Sequence, residues 1–203
     1  MISIYDLKPK FQNLLRPICQ KLADGGVTAN QVTIFALLVS VLHGIGLAVW
    51  PGQTFLLLLL PATLFIRMAL NAIDGMLARE HGQKSRLGAI LNELSDVIAD
   101  IALYLPFALI AGLSAPLVTI VVLLAVIVEM TGILGLMVGA ERRYDGPFGK
   151  SDRAFVFGTL AVAITTGFVG PTLASVLLVV IIALSCLTIF NRARMALSAG
   201  ASQ

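Results

Sequence analysis

Residues 54–111 read TFLLLLLPATLFIRMALNAIDGMLAREHGQKSRLGAILNELSDVIADIALYLPFALIA. Two apolar stretches meet at a short charged turn, Arg79 to Arg86, and most of their polar side chains gather towards that turn. A helix needs about 20 apolar residues to cross the hydrocarbon core of a bilayer. The pair therefore reads as two crossings that enter and leave on one side. The same pattern continues in both directions. Crossings are expected at roughly 31–50, 54–78, 87–111, 116–139, 153–169 and 172–191. The expected class is all-α: a polytopic membrane protein with six transmembrane helices, preceded by an N-terminal amphipathic interfacial helix.

Composition agrees. The 203 residues are 58% hydrophobic and 12% charged, and mean hydropathy is +0.96. A soluble domain carries about twice that charge fraction. The net charge of +3 is small and spread out, so no nucleic-acid partner is expected. It suits a protein facing anionic lipid on one side. The N-terminal residues hold Lys8, Lys10, Arg16 and Lys21 without a continuous apolar run, so no cleavable leader is expected. Cys19 and Cys186 lack metal or redox spacing and read as two packed or interfacial thiols.

Charge in the loops sets the orientation. Trp50 to Gln53, Gly112 to Pro116 and Gly167 to Pro171 carry no charge. The N-terminus, Arg79 to Arg86, Glu141 to Arg153, and Arg192 with Arg194 hold nearly every Lys and Arg; of fourteen basic residues only Arg67 lies inside a span, Arg153 standing at the first residue of the fifth. The positive-inside rule then places both termini in the cytosol. Ile4, Leu7, Phe11, Leu14, Leu15, Ile18 and Leu22 recur at spacings of three and four, the pattern of a helix lying on the inner leaflet over residues 1–24. Asp24-Gly25-Gly26 breaks it, and Thr28 or Asn30 caps the next helix. No repeat or second domain is evident, so residues 1–203 read as a single membrane domain.

Charges in hydrocarbon are costly and usually mark sites. On a helix Asn71, Asp74 and Ala78 share one face, as do Gly88, Asn92 and Asp96. From the Arg79–Arg86 boundary, helical rise puts Asp74 and Asn71 about 7 and 12 Å inward, and Asn92 and Asp96 about 9 and 15 Å. Four oxygen-bearing side chains thus converge just below the cytosolic surface. Such oxygens are the ligands Mg²⁺ and Ca²⁺ prefer. Gly75, Ala78 and Gly88 leave room beside them for a bulky group; close helix packing uses small residues as well.

This stretch resembles the CDP-alcohol phosphatidyltransferases, whose pattern is D-x-x-D-G-x-x-A-R, eight residues, then G-x-x-x-D-x-x-x-D. The spacing holds from Asn71 through Asp74, Gly75, Ala78, Arg79 and Gly88 to Asn92 and Asp96, while the first and third aspartates are Asn71 and Asn92. Within that family the chain looks nearest a bacterial inner-membrane branch. The resemblance implies transfer of a phosphatidyl group from a CDP-linked donor, usually CDP-diacylglycerol, to an acceptor hydroxyl, with release of CMP. It implies Mg²⁺ or Mn²⁺ as cofactor, one or two ions, on Asn71, Asp74, Asn92 and Asp96. Asp96 would be ligand or general base. Gly75, Ala78, Arg79 and Gly88 would line the nucleotide and donor site. A homodimer in the bacterial inner membrane, with a cytosolic active site, is also implied. With asparagine at 71 and 92 the set carries two negative charges, from Asp74 and Asp96, where four aspartates carry four, so one tightly held ion is expected, any second arriving with the pyrophosphate.

Lys150 and Arg153 open the fifth expected span and Arg192 closes the sixth, a candidate pocket for an acceptor or donor phosphate. Anchoring to anionic lipid is the plainer reading for Arg142, Arg143 and Arg194. Arg67, Asp100 and Glu129 fall at a common depth, about 18–21 Å inward, and are expected to form an ion-paired layer; the alternative is that Arg67 reaches the site from one turn below Asn71. His43 is expected to make a helix–helix hydrogen bond. Two rival readings stay open: a catalytically attenuated relative, and a small transporter, against which stands the absence of an inverted repeat or broken half-helices.

Overall fold

The computed structural model describes residues 4–200, with side chains over 10–199. Among these residues all regular structure is helical. The elements are α1 (Ile4–Asp24), α2 (Ala29–Val49), α3 (Thr54–Glu80), α4 (Arg86–Tyr104), α5 (Ala115–Leu134), α6 (Lys150–Thr165) and α7 (Pro171–Gly200). Single 3₁₀ turns extend α4 over Leu105–Leu109 and α5 over Gly135–Val138. The expected crossings fall on α2 to α7, but only α2, α3, α5 with its turn, and α7 are both long and apolar enough to cross a membrane by those criteria. α4 carries Asn92, Glu93, Asp96 and Asp100, and α6 has 16 residues. The last helix runs on to Gly200, past the expected end at 191.

The chain divides into two compact units, one up to Leu42 with Ala62–Ala99, the other His43–Pro61 with the chain from Asp100 on. In the first, α1 lays Leu15 and Cys19 against Val32 of α2 and Ile73, Met76 and Leu77 of α3. Leu14 and Ile18 of the same helix stay exposed, and the side chains of Ile4 and Leu7 in the expected apolar stripe lie outside the described residues. α1 stops at Asp24, and Gly26 takes the left-handed conformation (φ 75°) that a glycine adopts without strain. Thr28 then caps α2. Its Oγ1 accepts the Gln31 N–H (3.3 Å), and Gln31 Oε1 accepts the Thr28 N–H (2.9 Å), a reciprocal capping box. Asn30, the other expected cap, is left for the site described below.

The second unit is held by close backbone approach and by a buried charge cluster. A Cβ placed on Gly44 of α2 would collide with the Ala102 carbonyl oxygen of α4, so only glycine lets these helices touch there. His43 Nε2 donates to the Leu56 carbonyl oxygen (3.0 Å), the expected helix–helix bond. Tyr104 stacks on Phe157 with ring centroids 4.2 Å apart. One helical turn away Asp100 meets Arg153, so α4 and α6 are locked by a polar rung beside an aromatic one. α5 packs along α7.

The charge cluster corrects the expected layer. Asp100 and Glu129 are both buried, but the guanidinium they share is that of Arg153. Its Nη2 lies 2.9 Å from Asp100 Oδ2 and 2.8 Å from Glu129 Oε1. Arg192 Nη1 donates to the Val128 carbonyl (2.7 Å) and lies 3.4 Å from Glu129 Oε2. Arg142, expected to face lipid, lies 3.2 Å from the same oxygen. Arg67 has another role, in the first unit. The reason is reach: arginine's long stem carries its charge well away from its own backbone, so depth read from backbone position misjudges where it lands. Arg143 instead pairs with Asp145 (2.8 Å), and that guanidinium holds the loop carboxyl below its usual range.

Candidate functional site

The first unit contains a cavity of about 690 Å³ lined by residues of α2, α3, the turn after α3, and α4. Each wall follows from its local sequence. α3 presents Asn71, Asp74, Gly75, Ala78 and Arg79, spaced three and four apart so that they share a face. α4 presents Gly88 and Asn92 in the same way. Gly82, left-handed at φ 67°, turns the chain between them. Gln83 then ties the turn to α2: its Oε1 accepts the Ala29 N–H at 2.7 Å. That bond satisfies one of the donors a helix leaves open at its N-terminus.

Asp74 is the buried carboxylate of the cavity wall, 5% exposed. Thr33 Oγ1 of α2 donates to its Oδ2 at 2.8 Å, which fixes the carboxylate's orientation. Asn71 uses its amide nitrogen on Asp96: Nδ2 donates to Oδ1 at 3.0 Å. Its remaining polar atom is an oxygen, which only accepts. The Asn92 amide makes no hydrogen bond among the described residues. One carboxylate and two amide oxygens thus share a cavity, a donor set suited to a hard divalent cation. Asp96 does not line the cavity; it joins the wall through Asn71.

Room and charge complete the site. A Cβ on Gly75 would come within 3.1 Å of the Arg79 guanidinium, which folds back across this glycine. A Cβ on Gly88 would meet Asn30 Oδ1 at 2.8 Å and Ser85 Oγ at 2.9 Å. Arg79, Lys84 and Arg86 bring three positive charges to the lining against the one carboxylate of Asp74, an excess suited to phosphate. We predict that Gly88→Val raises KM for a donor roughly tenfold while helicity is kept, because the added methyls intrude on the cavity beside Asn30. Steady-state kinetics with circular dichroism checks this.

Seven of the expected site residues meet here: Asn71, Asp74, Gly75, Ala78, Arg79, Gly88 and Asn92. Lys150, Arg153 and Arg192 belong to the second unit. Lys150 opens α6, while Arg153 and Arg192 are buried on carboxylates as described. Sequence reasoning missed Asn30 and Thr33. They stand three apart beside the expected start of α2, on one face at the depth of Asp74, and that spacing was the available signal. Gln83, Lys84 and Ser85 were also missed. Nothing in a five-residue turn says that it folds back over a cavity.

A profile of the CDP-alcohol phosphatidyltransferase family matches residues 26–201. The chain is 53% identical to inner membrane protein YnbA of Escherichia coli over 80% of its own length and 82% of that protein's. It is 31% identical to archaetidylinositol phosphate synthase of Pyrococcus horikoshii over 51% of its length and 52% of that protein's. Its fold is similar to phosphatidylinositol phosphate synthase (PgsA1) of Mycobacterium tuberculosis, solved with manganese and citrate, with TM-score 0.74 and 22% identity over 89% of this chain and 87% of that one. The same enzyme with CDP-DAG bound matches with TM-score 0.74 and 22% identity, over 89% and 92% of the two chains. Together with the retained motif spacing, the profile match and the 53% identity to YnbA place the chain in the CDP-alcohol phosphatidyltransferase family.

Proposed function

We propose that the chain transfers a phosphatidyl group from CDP-diacylglycerol to an acceptor hydroxyl and releases CMP, at the cytosolic face of the bacterial inner membrane. The observation that carries this is the cavity, which sets Asp74, Asn71 and Asn92 beside Arg79, Lys84 and Arg86 over a floor of Gly75, Ala78 and Gly88. In the same reading α2 to α7 make six crossings with both termini cytosolic, and α1 lies on the inner leaflet. The positive-inside charges and the exposed Leu14 and Ile18 support it. A second copy of the chain as partner rests on the family resemblance alone.

The chemistry requires the donor's two phosphates and an incoming oxygen to be brought together against mutual repulsion. A divalent cation, Mg²⁺ or Mn²⁺, held by Asp74, Asn71 and Asn92 supplies Lewis-acid neutralisation of the pyrophosphate when bound. The protein's own groups do the rest. Arg79, Lys84 and Arg86 hold the phosphates, and Gly75, Ala78 and Gly88 admit the nucleotide. The acceptor oxygen bonds to the lipid-side phosphorus. The bond from that phosphorus to the bridging oxygen breaks, and CMP leaves with the electron pair. Asp96 is the base in this reading: it stands behind Asn71 in the wall, and the acceptor hydroxyl has to reach its carboxylate to pass on the proton.

Of the basic set in the second unit, Lys150 is the partly exposed member. A phosphate arriving at Arg153 or Arg192 has to compete with Glu129 and Asp100. Acceptors without phosphate are therefore preferred in this proposal. The test is CMP release from CDP-diacylglycerol by the purified protein with Mg²⁺ or Mn²⁺ and a panel of neutral, amino and phosphorylated alcohols. CMP formation dependent on metal and acceptor supports the reading. No CMP with any acceptor leaves a catalytically attenuated relative.

A further inference from the structure

The spacing of the motif predicts four metal-ligating positions, yet the structure treats its last member differently. Asp96 Oδ1 accepts from Asn71 Nδ2 at 3.0 Å and lies 3.5 Å from Arg67 Nη2. The same Arg67 nitrogen donates to the Asp96 main-chain carbonyl at 2.9 Å, so the guanidinium is clamped at both ends of one residue. Arg67 is 4% exposed, one turn of α3 below Asn71. A charge so deep in a membrane helix is costly and is kept only where it has a fixed partner.

We propose that Arg67 is a built-in cation of the site, occupying by charge the place of a second metal ion at Asp96, so that this protein holds one divalent ion, on Asp74. The inference rests on the transferase reading for the presence of an ion at all. Charge carries it further. With asparagine at 71 and 92 the motif supplies two carboxylates, and Arg67 lies on one of them, Asp96, so Asp74 is the carboxylate left to an ion. One divalent ion is accommodated there. A second ion at Asp96 would face the Arg67 guanidinium, which already lies 3.5 Å from Asp96 Oδ1. Asparagine at 71 fits the same design: its nitrogen donates to Asp96, which an aspartate in that position does only when protonated. Arg67 is thereby a positioning residue that holds Asp96 in place.

The test is Mn²⁺ binding to purified, donor-free protein, followed by the electron paramagnetic resonance signal of free Mn²⁺ and independent of turnover. One ion per chain is expected, lost in Asp74→Asn. Arg67→Gln is expected to bind that ion about tenfold more tightly, because a repelling charge is gone, whereas Arg67→Lys stays within about twofold. Two ions per wild-type chain, none at all, or equal affinity in wild type and a folded Arg67→Gln overturns the inference. Where Arg67→Gln does not fold, the wild-type count decides alone. CMP release by the wild type judges the transferase reading separately: activity with two bound ions would sink this inference and leave that reading standing.

Discussion

Asp74→Asn is expected to lower CMP release by about a hundredfold to a thousandfold, with the protein still folded and still monodisperse in detergent. The size follows from what is removed. Asp74 is the only carboxylate lining the cavity among the described residues, and a divalent ion that it holds is worth several kcal/mol of transition-state stabilisation, lost when its charged ligand goes. The substitution keeps shape and volume, and the asparagine still accepts from Thr33. A structural role would therefore leave the rate nearly unchanged. Thr33→Val separates positioning from charge. It removes the 2.8 Å bond to Asp74 Oδ2 but leaves the carboxylate, and a loss of roughly tenfold to a hundredfold is expected, as for groups that orient ligands from behind. Initial rates of CMP formation at saturating metal measure both. Full activity in Asp74→Asn would contradict the assignment.

Glu129→Gln is expected to be the most destabilising single change in the second unit. Glu129 faces Arg153, Arg192 and Arg142 at 2.8, 3.4 and 3.2 Å, and Arg153 and Arg192 are 1% and 2% exposed. Removing the carboxylate leaves buried guanidinia without their shared counter-charge, which costs about 3–5 kcal/mol in comparable cases. For a chain of this size a loss on that scale lowers the melting temperature by on the order of 10 °C. Replacing Glu129 and Arg153 together by Leu and Met is expected to recover only part of the loss, since Asp100 then loses Arg153 while Arg192 and Arg142 lose Glu129. Thermal unfolding of the wild type and the two variants in one detergent checks this. A Glu129→Gln melt within a degree or two of wild type would mean that the cluster is solvated rather than buried.

The parts of the protein legible in its sequence are those governed by local pattern. Apolar length gave the positions of α2 to α7, and three-and-four spacing brought Asn71, Asp74 and Ala78 to one face and Gly88 and Asn92 to another. Glycine breaks marked the end of α1. What escaped depends on long side chains and on contacts distant in sequence. Depth along the helix grouped Arg67 with Asp100 and Glu129, but a flexible stem of several carbons lets an arginine choose among partners a full turn apart. The guanidinium on Glu129 comes from Arg153, 24 residues further on. Asn30 and Thr33 were hidden because a threonine in an apolar span usually bonds its own preceding turn, and nothing local shows that Asp74 lies across from it, 41 residues away. The substitution of asparagine at 71 and 92 was plain to read, but the hydrogen bond that gives Asn71 its role with Asp96 was not.

The central claim is that one cavity, walled by α3 and α4 and closed by the start of α2, holds the donor pyrophosphate on a metal ion at Asp74. The most direct measurement is a structure of the protein with CDP-diacylglycerol and Mn²⁺, located by anomalous scattering. The account predicts one metal peak per chain within about 2.0–2.6 Å of an Asp74 oxygen, the pyrophosphate beside it, and the nucleotide against Gly75 and Gly88. A donor bound elsewhere, or metal density with no contact to Asp74, would contradict it.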